Sequence, residues 1–122
     1  MIKMENRRVV NTRFIKKDKG MLFSACLNNK DNVLFHTEEG EVIANGFKFY
    51  TVKVEGQYGS VEAVAGVTMK DVHRLTDYIL QNNVHPEDVQ AVSESLFNYN
   101  ELDNKIAHMI KCGQAIVLNA EN

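Results

Sequence analysis

The chain has 122 residues, 44% of them hydrophobic and 25% charged, with a single proline. That is the size of one globular domain able to bury one core, and it excludes a disordered or low-complexity chain. No apolar run approaches the ~20 residues of a membrane span, and the first residues lack the apolar stretch of a secretory signal, so the expectation is a cytoplasmic protein with no membrane contact. The net charge is -2, but residues 1–30 hold eight Lys/Arg against two acidic residues (+6) and the remainder holds six against fourteen (-8). Such polarity suits an anion-binding surface or self-complementary assembly.

In chain order, residues 1–67 read mainly as strands. Residues 8–16 are rich in β-branched side chains. Asp18-Lys19-Gly20 follows, with Gly suited to the left-handed position of a hairpin. Residues 21–27 form the next apolar run, 28–31 a polar turn and 33–37 a short strand closed by Glu38-Glu39-Gly40. Residues 41–44 lead into Asn45-Gly46, which predicts a type I′ turn because both residues tolerate positive φ. Residues 47–55 follow as a strand whose phase is mixed: Phe47 and Phe49 share one face, Tyr50, Val52 and Val54 the other. A bulge or burial on both sides accounts for that. Residues 60–67 place Val61, Ala63, Ala65 and Val67 on one face at period two.

The period becomes helical at Thr68. Thr68 and Asp71 form a capping arrangement with Asp in place of Glu, and Met69, Val72, Leu75 and Ile79 give an apolar stripe to about Leu80. Asn82 and Asn83 end it. His85-Pro86 opens a second helix with face Val89, Val92, Leu96 and Phe97. Asn100 is the expected cap of a third, with face Leu102, Ile106, Met109 and Ile110, stopped by Gly113. Residues 114–119 form a final strand. The predicted class is α+β: an antiparallel meander of about six strands packed by two to three C-terminal helices, with a short final strand, in one domain spanning 1–122.

Motifs for chemistry are missing. There is no phosphate loop, dinucleotide fingerprint, nucleophile elbow or zinc-protease signature. His36, His73, His85 and His108 form no metal spacing, and Cys26 and Cys112 are expected to be reduced thiols, buried or half-buried, with no His at ligand spacing. The expectation is therefore no catalytic residue, no metal and no cofactor. Glu38, Glu39 and Glu41 read as solvated charge, and most aromatics as core.

One feature carries a sharper hypothesis. Arg7, Arg8, Arg13, Lys16, Lys17 and Lys19 fall on one hairpin and form a candidate contact for a partner or an anion, with Tyr50 or Tyr58 stacking on a planar ring. The alternation places Arg13 and Lys17 on one face and Lys16 on the other, which weakens a nucleic-acid footprint. The leading expectation is a small non-enzymatic binding protein, an accessory or inhibitor acting on a protein partner and assembling as a homo-oligomer. A nucleic-acid-binding regulator, or a nucleotide-sequestering protein at an oligomer interface, is the alternative.

Overall fold

A computed structural model describes residues 11–57 and 59–118, the side chains of Asn11 and Arg13 excepted. Six strands come first: β1 (Asn11–Asp18), β2 (Met21–Lys30), β3 (Val33–Thr37), β4 (Gly40–Ala44), β5 (Phe47–Gly56) and β6 (Gly59–Gly66). Three helices follow, α1 (Met69–Gln81), α2 (Val89–Leu96) and α3 (Tyr99–Lys111), and then β7 (Ala115–Leu118). The class is α+β. The strands divide between two antiparallel sheets, one ordered β1-β2-β5-β6 and the other β3-β4-β7.

The division follows from strand length. Both β2 and β5 have ten residues, and they pair from Leu22–Glu55 to Lys30–Phe47. The β3–β4 hairpin between them is short and swings away to pair with β7. Asn45-Gly46 therefore joins two sheets, and the predicted type I′ turn is not formed. Gly46 has φ +67°, but Asn45 is not in the left-handed region. The Asn45 side chain is used elsewhere: its Oδ1 accepts from Asn32 N at 2.7 Å, while Gly46 N donates to Asp31 Oδ1 at 2.7 Å. Asn45 N also donates to Gln114 O at 2.9 Å, so one residue pins the β2–β3 turn and the approach to β7. The type I′ geometry occurs instead at Lys19–Gly20, with φ of 52° and 76°, between the paired Asp18 and Met21.

The mixed phase of β5 comes from burial on both sides; its register with β2 is unbroken, and the bulge lies in the neighbouring β6. Val52 and Val54 enter a core with Phe23, Ala25, Ala63, Ala65, Val72, Leu75 and Ile79, with Tyr50 packed against it. Phe47 enters a second core with Val42, Ala44, Ile106, Met109 and Ala115, with Phe49 and Phe35 beside it. One strand thus serves both hydrophobic clusters. A bulge lies opposite Tyr50 and Thr51, where Ala65 of β6 is the extra residue between Val64 and Gly66.

The helices are bounded by local chemistry. Thr68 and Asp71 form the expected capping box at α1. At its other end Asn83 adopts φ 52° and Val84 N donates to Ile79 O at 3.1 Å. His85-Pro86 opens a 3-10 turn, Pro86–Asp88, and α2 starts only at Val89. Phe97, expected on the α2 face, is the C-cap in extended conformation. Asn98, not Asn100, caps α3, its Oδ1 accepting from Glu101 N at 3.1 Å. Extended backbone at Phe97 and Asn98 turns the chain into α3 two residues earlier than the polar run suggested. At the far end Gly113 N donates to Ile110 O and Gln114 N to Met109 O, the double bond of a Schellman stop.

Candidate interaction surface

Arg7, Arg8 and Tyr58 lie outside the described residues, as does the side chain of Arg13. The other candidates are not brought together. Lys16 pairs opposite Phe23 on the helix-covered face of the large sheet, and Lys17 opposite Leu22 on the other face. Tyr50 is half-buried against the first core. Lys19 sits at the hairpin tip with its ammonium engaged: Nζ donates to Leu80 O at 2.7 Å and to Asn83 Oδ1 at 3.3 Å. The last turn of α1 has no basic residue of its own. Lys19 supplies a cation to that helix end from another element, which is a structural role.

The small sheet presents a different surface. Cross-strand register aligns Leu34, Ile43 and Ile116 on one row, and His36, Glu41 and Leu118 on the next. These residues face away from the second core, which takes Val42, Ala44 and Ala115 from the same strands. Leu34 is 45% exposed, Ile116 66% and Leu118 40%. The row ends on β7, an edge of its sheet among the described residues. Ala115, Ile116, Val117 and Leu118 include no charge and no proline, the usual guards of an edge. Glu38, Glu39 and Glu41 flank this sheet at the β3–β4 turn and are exposed, as expected for solvated charge.

Concavities lie elsewhere, and two of them bear on ligand binding. A groove of about 640 Å³ runs between the β1–β2 and β5–β6 tips and the 3-10 turn, lined by Lys19, Met21, Ser60, His85 and Gln90 among others. It contains no nucleophile–base pair among the described residues. A smaller pocket of about 220 Å³ lies where the two sheets meet α3, with Phe35, Phe47, Phe49, Phe97 and Leu102 in its wall and Lys30 as the one ionisable lining residue among the described residues.

Three titratable groups converge behind the wall of the smaller pocket, beside its lining residues Gly66, Val67 and Leu102. Asp71 is 1% exposed. Its Oδ2 accepts from Val67 N at 3.0 Å and Thr68 N at 3.1 Å, and Arg74 Nη1 lies 2.8 Å from its Oδ1. The Glu101 carboxyl meets Asp71 from the first turn of α3. Burial pushes the Asp71 carboxyl up, but hydrogen bonds from Glu101, Thr68 and Val67 outweigh it and hold Asp71 below its ordinary value. Glu101 is raised by burial first, then by its hydrogen bond to Asp71 and the charge of that carboxylate, against the opposing charges of Arg74 and Lys70. Two carboxyls in contact oppose each other's ionisation, which favours a proton shared between them. Glu101 Oε1 is buried without an ordinary donor, which a proton held between the carboxyls satisfies, while Asp71 Oδ1 faces the Arg74 guanidinium. The cluster joins the starts of α1 and α3. Sequence spacing missed it, because the partners stand thirty residues apart on different helices; only the capping position of Asp71 was visible.

Cys26 is half-buried, and Cys112 is exposed, contrary to expectation. No His was expected at ligand spacing from either cysteine, yet His108 on α3 stands four residues before Cys112. Cys112 Sγ lies 3.4 Å from His108 Nε2. The pair stands at the carbonyl end of a helix, where a thiolate gains nothing from the dipole. No group of three metal-ligating side chains occurs among the described residues, and no described helix is long and apolar enough to cross a membrane.

No protein-family model, curated protein or solved structure matches the chain.

Proposed function

We propose that this is a non-enzymatic binding protein that takes a protein partner on the outer face of the three-stranded sheet. The apolar row Leu34, Ile43 and Ile116, ending on β7, an edge strand among the described residues, carries this reading. Monomeric proteins rarely leave a contiguous apolar patch beside an open strand edge. A partner satisfies both features when an extended segment bonds its main chain to β7 and an apolar surface beside that segment lies over the row. An accessory or inhibitory protein acts in this way, by occupying a surface of its partner. A second copy of the chain is a special case of the same contact, and gives a homo-oligomer.

The nucleic-acid and nucleotide readings have less support. Lys16 and Lys17 lie on opposite faces, and Lys19 is engaged with α1. No extended basic face is formed by the described hairpin residues.

Leu34→Glu and Ile116→Lys are expected to weaken capture of the partner from source extract by at least about tenfold. Their melting temperatures should stay within about 3 °C of the parent, because both side chains are exposed. Lys17→Ala should leave capture unchanged. Capture insensitive to the two sheet variants, or lost with Lys17→Ala and with rising salt, contradicts the proposal and favours a polyanion.

A further inference from the structure

We propose that the pocket between the two sheets is a binding site for a small carboxylate with an apolar, ring-sized body. The pocket has about 220 Å³ of space. A dry apolar cavity of about 150 Å³ accepts a benzene ring, so this volume takes one ring with a short side arm. Its wall is built from both halves of the fold. Phe47 and Phe49 come from β5, Phe35 from β3, and Phe97 and Leu102 from the α2–α3 junction. Phe47 is edge-on to Phe35 at 4.9 Å and stacked on Phe49 at 5.8 Å, so the aromatic wall is already packed before a ligand arrives. Rings held in this way lose little freedom on binding.

Charge decides the class of ligand. Among the described residues, Lys30 is the single ionisable one lining the pocket, and no acidic one lines it. Lys30 pairs opposite Phe47 at the end of β2, is exposed, and has no side-chain hydrogen bond or ion pair among the described residues. An ammonium at the rim of an aromatic pocket pairs with an anionic head whose apolar body lies inside. A neutral ligand forgoes that pairing, and an ammonium ligand meets repulsion. This site is separate from the outer face of the small sheet and does not depend on the partner proposed for it.

The test uses 3-phenylpropionate as probe, followed by methyl and amide NMR of the full chain. The expected result is saturable shifts centred on Val33, Val64 and Leu102, with a dissociation constant on the order of 1 mM for so small a ligand. Lys30→Gln is expected to weaken binding about tenfold, and the neutral 3-phenylpropan-1-ol should bind the parent correspondingly more weakly. Octanoate in place of the aromatic acid distinguishes ring recognition from general apolar burial, and either acid binding at these residues supports the site. Val64→Phe places a ring at the exposed side of the pocket and should abolish the shifts. Its spectrum without ligand reports whether it folds, and Lys30→Gln, altered at an exposed position, keeps the test valid if it does not. No saturation by either acid up to about 20 mM, shifts centred elsewhere, or equal binding of the alcohol and the acids overturns the proposal.

Discussion

Asp71→Ala is expected to destabilise the protein by about 3 kcal/mol, because it strips several buried groups of their partner at once. Val67 N and Thr68 N lose their acceptor, Arg74 loses its counter-ion, and the capping box of α1 is broken. Urea unfolding with an unchanged slope measures the loss. The partner carboxyl behaves in the opposite way. Glu101 is held above its ordinary value, so the folded state takes up a proton that the unfolded chain has released. Its contribution is fully present below the ordinary glutamate value and is lost as pH rises through the raised one. Asp71, held below its ordinary value, contributes above that value and loses its contribution as pH falls through the lowered one. Glu101→Gln puts a donor against Asp71 at every pH. It is expected to match or exceed the parent by up to about 1 kcal/mol on the alkaline side of the Glu101 titration, where the parent holds two charged carboxylates in contact. A uniform loss of stability in Glu101→Gln across the pH range contradicts the shared proton.

Gly66→Ala is expected to cost at least about 3 kcal/mol, by a route that ends on the same carboxylate. Gly66 follows the β6 bulge at φ +150°, a conformation that side chains rarely adopt. A Cβ there would collide with the Asp71 carboxylate and with its Cβ. Either the backbone must leave its φ or Asp71 must leave the backbone amides it caps. Because both substitutions disturb one network, the double variant Gly66→Ala/Asp71→Ala should lose less than the two single losses together. Strict additivity in chemical denaturation would show that the glycine and the carboxylate are independent.

Much of the element list was legible because local chemistry enforces it. The Thr68–Asp71 box, the Gly113 stop, the turn at Gly20 and the period-two run Val61, Ala63, Ala65 all depend on residues a few positions apart; Val67, expected on the same face, follows the β6 bulge and packs against the second core instead. What was not legible depended on long-range competition. Asn45-Gly46 has the composition of a tight hairpin, yet β2 and β5 are each ten residues long and pair with one another, so the shorter β4 takes β3 and β7. The irregular phase of β5 was visible, and its cause needed the knowledge that two cores meet along one strand. Asn100 and Asn98 offer the same capping chemistry, and only the extended backbone at Phe97 decides between them.

The candidate surface was the least legible part. Charge drew attention to the N-terminal hairpin, but a count of basic residues does not reveal that Lys19 is spent on a helix end sixty residues away. The residues of β7 read only as a short final strand, since Ala-Ile-Val-Leu has no polar alternation to mark one side as open. Their exposure comes from the sheet order, which leaves β7 paired only with β4 among the described residues, with Ile116 on the face away from the second core.

Backbone amide exchange across Ala115–Leu118, with and without the captured partner, tests the assignment of the contact surface most directly. Without the partner, the amides of β7 that do not face β4 should exchange as open-edge groups; with it, they should become protected together with the flanking Leu34 and Ile43. Protection that instead gathers on β1 and β2, with β7 exchanging as before, would contradict the account.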